Sequence, residues 1–199
     1  MSKIEFDTNP GRGTFKFVSP GGSTNRTLTL PDKDGTLATT ETGKVINVWV
    51  NEKTDTWSKS GWGFSDVTGL SRTITPKSAS SKFMIHIQIW SSSNYWGTYF
   101  HLNRNGTNLG LGTASGSRPT NPMGMIYDKD VMNNHGVIKS CIMRYVDSPN
   151  TTGTVTYKVT GSGRAPSYTT YVNRSSPDRN TTEYDHRMAS RMIITELEE

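Results

Sequence analysis

Asp178, Glu183 and Asp185, with His186 alongside, stand close together in "SSPDRNTTEYDHR" (residues 175–187). A pair of carboxylates can hydrolyse a glycosidic bond, one as acid and one as base or nucleophile, when rigid strands hold the two across a cleft. Here they fall in a run of turn formers, so the local sequence assigns no such pair and reads as a solvated, mobile loop or a binding loop. The four histidines, His86, His101, His135 and His186, are scattered, and none forms an H-x-x-x-H pair for a metal. Asp32, Asp34, Gly35 and Glu41 have the spacing of part of a calcium loop, but its leading ligand position is Leu30, so the segment reads as a turn. No P-loop, dinucleotide fingerprint or G-x-S-x-G elbow is present. Cys141 is the only cysteine and sits in the apolar run "VIKSCIMRYV", which predicts a buried, inert thiol. No catalytic residue, metal or cofactor is expected.

The aromatic residues say more. Trp57, Trp62, Tyr95, Trp96 and Tyr184 lie in turn-rich segments rather than in apolar runs. Rings flanked by Asn and Ser suit stacking on sugars, with hydrogen bonds to hydroxyls. The alternative is that they cap the ends of a sandwich.

The elements that must carry these residues are strands. Gly (19) and Pro (9), with abundant Ser, Thr and Asn, describe a turn-rich chain of 199 residues with short elements. In "KFMIHIQIW" (residues 82–90), Phe83, Ile85, Ile87 and Ile89 share one face at period two, and Met84, His86, Gln88 and Trp90 share the other. Further strands are expected at residues 44–51, 69–78, 136–146, 153–161, 167–174 and 190–198, with a hairpin at Asn105-Gly106 and a loop over 106–116. About eight strands beyond Lys44 fit an antiparallel jelly-roll β-sandwich.

Before Lys44 there are only short alternating pieces, broken by "NPGRG", "SPGGSTN" and "PDKDG". None buries a face alone, so residues 1–43 are expected to form a short β stem intertwined with copies of itself, and residues 44–199 the folded knob. The outer face of "KFMIHIQIW" is semi-apolar and also calls for a partner. Net charge is +5, all of it beyond residue 43, but dispersed and without a nucleic-acid motif. That balance suits an anionic polysaccharide or lipopolysaccharide better than nucleic acid. No stretch nears the roughly 18 apolar residues of a membrane span, so no membrane insertion is expected.

"RTLTLPDKDGTLATT" (residues 26–40) resembles a segment that recurs near the N-termini of bacteriophage tail-fibre and receptor-binding proteins. "SSKFMIHIQIW", "FHLNRNGT", "DSPNTTGTVTYKV", "YVNRS" and "SRMIITELEE" are similar to the jelly-roll knobs of such proteins, related in fold to tumour-necrosis-factor and complement heads. The resemblance implies a homotrimeric virion protein, made in the host cytoplasm and held on a tail fibre, baseplate or capsid by another virion protein through the stem. It implies binding of a host-surface receptor without cleavage. The alternatives are a structural or decoration protein and, less favoured, a saccharide-degrading enzyme. Met84, His86 and Gln88 are then expected at the threefold axis. If the strands from residue 82 onward reverse one after another, residues 91–96 and 175–188 both lie at the end far from the stem. Asn94, Tyr95, Trp96, Arg179, Tyr184 and His186 in those loops are the expected receptor-binding residues.

Overall fold

The computed structural model describes residues 44–95, 97–126, 137–163 and 165–198. The expected stem lies outside them, as does Trp96. All regular structure among the described residues is β-strand: β1 (Val45–Lys53), β2 (Trp57–Ser60), β3 (Ser65–Ile74), β4 (Lys82–Ser93), β5 (Gly97–Arg104), β6 (Thr107–Leu109), β7 (Met123–Ile126), β8 (Lys139–Asp147), β9 (Val155–Ser162), β10 (Thr169–Val172) and β11 (Ser190–Leu197). They form two antiparallel sheets. The first runs β1-β11-β4-β8, with β10 and β2 continuing from the edge of β4 that β11 occupies; the second runs β3-β9-β5, with β6 and β7 sharing the far edge of β5. Six strands facing five, in an order that moves the chain repeatedly from one sheet to the other, make a jelly-roll β-sandwich.

The period-two reading of β4 explains the core. Phe83, Ile85, Ile87 and Ile89 are fully buried and meet Phe100, Leu102, Tyr157 and Val159 of the second sheet, with Met192 and Ile194 beside them. Each such side chain contributes about 1.5–3 kcal/mol by leaving water. Cys141 belongs to this core, near the hydroxyls of Ser91 and Thr98, and burial raises its thiol pKa. The hairpin between β5 and β6 turns at Asn105 (φ +48°) and Gly106 (φ +94°), two consecutive left-handed residues whose twist matches that of the paired strands.

Glu198 N–H donates to Lys44 C=O at 2.8 Å, so the chain enters and leaves the sandwich at one end, here called the base. β4 starts there, with Lys82 opposite Leu197, and runs to the distal end. Two departures from the expected strand count follow. The 106–116 segment is not wholly loop: β6 forms at Thr107–Leu109, and β6 and β7 both run antiparallel to β5, adding one pass toward the distal end. β10 and β11 then both lie antiparallel to β4 along the same edge, β10 opposite Ser91–Ser93 and β11 opposite Lys82–Gln88. The first departure reverses β8, β9 and β10 relative to strict alternation, and the second restores the sense of β11. Residues 94 and 95 therefore follow β4 at the distal end, whereas residues 173–189 spring from an interrupted edge level with Trp90, in the distal half.

Candidate functional site

The segment between β10 and β11 is a closed loop. Met188 N–H donates to Asn173 C=O (3.2 Å), and Asn173 N–H donates to Trp90 C=O (2.8 Å), which pins the two ends together. Asn173 is fully buried, and its amide donates to the carbonyls of Lys53 (2.7 Å) and Asp55 (2.9 Å) while accepting from Ser190 Oγ (2.6 Å). Asn173, Asp178 and Asp185 all have left-handed φ angles of +52° to +65°, which Asn and Asp tolerate better than other non-glycine residues.

Inside the loop the charges are matched. The Asp185 side chain is buried and accepts hydrogen bonds from Ser175 Oγ (2.5 Å), Arg179 N–H (2.9 Å) and Arg179 Nε (2.7 Å). The Arg179 guanidinium, with those hydrogen bonds, holds the Asp185 carboxyl down to about 2. Asp178 is gripped between Arg174 (2.8 Å) and Arg187. The Arg179 guanidinium also lies over the Tyr184 ring, 5.3 Å from its centroid. Of the two sequence readings, a solvated, mobile loop or a binding loop, the ion pairs disfavour free solvation. A carboxyl held to about 2 cannot lend a proton as a glycosidase acid does near neutrality.

These interactions frame a cleft of ≈ 360 Å³ lined by Asp178, Arg179, Asn180, Thr181, Tyr184, Asp185, His186 and Arg187. Tyr184 is 52% exposed there, with the Arg179 guanidinium over its ring. Three of the residues expected to bind receptor, Arg179, Tyr184 and His186, therefore share one cleft. Asn94 and Tyr95 do not join it. Asn94 Oδ1 accepts from Thr169 N–H (2.7 Å) and its Nδ2 donates to Ser167 C=O (3.3 Å), so the side chain braces the start of β10. Tyr95 packs on Tyr168, ring centroids 4.4 Å apart.

Met84, His86 and Gln88 lie on the outer face of the first sheet, each in a cross-strand row. Val48, Thr195, Met84 and Val146 form one row, Val50, Ile193, His86 and Arg144 the next, and Glu52, Arg191, Gln88 and Ile142 a third. Val48, Val50, Met84, Ile142 and Val146 are each 47% to 56% exposed. Arg191 and Glu52 pair at 2.7 Å at the distal margin of this surface.

Among the described residues, no three His, Cys, Asp or Glu side chains gather into a metal-binding group. The expected receptor contacts left out Asp178, Asn180, Thr181, Asp185 and Arg187, which flank the chosen residues in the same segment; that they line one cleft depends on ion pairs the sequence does not display. Neither a protein-family model nor a curated protein matches the chain.

Proposed function

We infer that this chain is the receptor-binding protein of a bacteriophage particle: a homotrimer, carried by its N-terminal segment on another virion protein, that binds host surface polysaccharide or lipopolysaccharide without cleaving it. The observation that carries the reading is the cleft in residues 173–189, where a half-exposed tyrosine stands among amide, hydroxyl and guanidinium donors on a braced loop. A saccharide needs that combination of an aromatic face and convergent polar groups. The resemblance of "RTLTLPDKDGTLATT" and of the knob strands to phage fibre proteins agrees with it, as does the jelly-roll order. The exposed aliphatic rows around Met84 and His86 support self-association, because flat hydrocarbon on a rigid sheet gains most by meeting a second copy of itself.

That same aliphatic face equally supports a structural cap with no receptor, so the two readings separate on the cleft. Purified protein should bind susceptible cells saturably, and added extracted surface polysaccharide should compete. A trimer that binds no cells would be a cap, and release of reducing ends from the polysaccharide would mark an enzyme.

A further inference from the structure

The β2–β3 connection, "SGWGF" at residues 60–64, spends two glycines on holding one tryptophan outward. Gly61 (φ +77°) and Gly63 (φ +85°) both adopt the left-handed conformation, which costs chain entropy on folding. The tip is braced where it meets the neighbouring connection. Gly61 N–H donates to Tyr168 C=O (3.0 Å), and the hydroxyls of Ser60 and Thr169 bond at 2.7 Å. Gly163 packs so closely beneath that a Cβ on it would stand 2.2 Å from Tyr168 O and 3.1 Å from Gly61 N.

The two tryptophans of β2 and the connection are used in opposite ways. Trp57 packs against the core and its Nε1 donates to Asp66 C=O at 3.0 Å. Trp62 is 68% exposed, the most open large hydrophobic side chain among the described residues, and contributes to no core cluster, hydrogen bond or ring pair there. Phe64 follows it, stacked on the His101 imidazole with centroids 3.8 Å apart and planes 17° from parallel, and still 43% exposed on its other side. Exposed aliphatic residues cluster on the outer face of the first sheet, whereas this tip presents flat rings beside the hydroxyls of Ser60 and Thr169. Rings of that kind fit the C–H face of a pyranose, with hydroxyls at its rim.

We propose that Trp62 and Phe64 form a second saccharide-stacking subsite, separate from the Tyr184 cleft, that takes a pyranose ring of the same surface polysaccharide. This rests on the saccharide-binding reading above. The test uses the full chain with Trp62→Ala, Trp62→Phe and Tyr184→Ala, read on an array of bacterial surface polysaccharides and on vesicles of bacterial lipid. Trp62→Ala should weaken binding to the glycan that wild type prefers about tenfold, the loss for one stacked aromatic. Trp62→Phe should recover most of it, and both variants should keep the wild-type melting temperature. Wild type that binds no arrayed glycan would overturn the saccharide reading and this subsite together. Glycan binding lost in Tyr184→Ala but unchanged in Trp62→Ala would overturn the subsite alone. So would Trp62-dependent binding to vesicles with no glycan dependence, which would make the tip a lipid contact.

Discussion

On the outer face of the first sheet, Val48, Val50, Met84, Ile142 and Val146 expose hydrocarbon on strands fixed by ladders on both sides of β4 and β11. In the loop that follows β10, the carboxylates of Asp178 and Asp185 both have guanidinium partners, and the prominent exposed carbon is the ring of Tyr184. The first surface gains by excluding water over a broad, flat area, which favours a large and constant partner. The second offers one ring and several directed hydrogen bonds within a small cleft, which favours a small polar ligand. On the function proposed above, one sandwich carries an aliphatic surface for assembly and an aromatic, polar one for recognition, and the two should respond to different substitutions.

The largest effect is expected where a charge is forced onto the aliphatic face. Met84 sits between Thr195 and Val146 in its row, with no cation in the row to pair a new charge, and Met84→Asp would place a carboxylate in each copy of the proposed contact. A loss of about 3–5 kcal/mol per unpaired buried charge should dissociate the proposed trimer at micromolar concentration, read by light scattering. A monomeric wild type would remove the assembly half of the comparison altogether.

Asp185→Asn should cost about 1–3 kcal/mol, because Arg179 and Ser175 lose a buried charged acceptor. It should abolish cell binding while leaving the trimer intact, and amide exchange at Arg179 N–H should accelerate. Acid tests the same bond. The Asp185 pKa is lowered from 3.8 to about 2, so its stabilising contribution is fully present above 3.8 and is lost as the pH falls through about 2. Exchange at Arg179 that rises already between pH 6 and 5 would point to some other group.

Tyr184→Ala should weaken cell binding by about 1–3 kcal/mol with no change in assembly. Equal loss of trimer and binding would merge the two surfaces into one. The smallest effect is expected on the outer face of the second sheet, where Lys158 pairs with Asp66 at 2.9 Å in partial exposure. Lys158→Ala should change stability by no more than about 0.5 kcal/mol and leave both functions alone.

The strand alternation of "KFMIHIQIW" and the Asn105-Gly106 hairpin were legible because each is a local signal: period two in the first, paired left-handed residues in the second. β2 was not, since "WSKS" has no alternation and exists through its pairing with β10. The directions of β8, β9 and β10 were missed because β6 and β7, each too short to display alternation, together add one pass, and the sense of β11 returns only because β10 and β11 share one edge of β4, a choice made by the sheet rather than by either segment. In the loop, residue types singled out Arg179, Tyr184 and His186 as the expected receptor contacts, and the three line one cleft. Sequence could not show that Arg179 is tied to Asp185, nor that Asn94 is spent on the backbone of residues 167 and 169.

The meeting of β10 and β11 on one edge of β4 has a meaning for how such a protein can change. Asn173 and Met188 are already hydrogen-bonded neighbours, so the stretch between them is a detour from an otherwise continuous edge. Its length and sequence can be rewritten without moving the register of β11 against β4 or of β1 against β11. The detour therefore has the form of an exchangeable cassette: if the chain is the receptor-binding protein proposed above, grafting a different one between Asn173 and Ser190 should redirect what the knob recognises while every copy still fits the same particle.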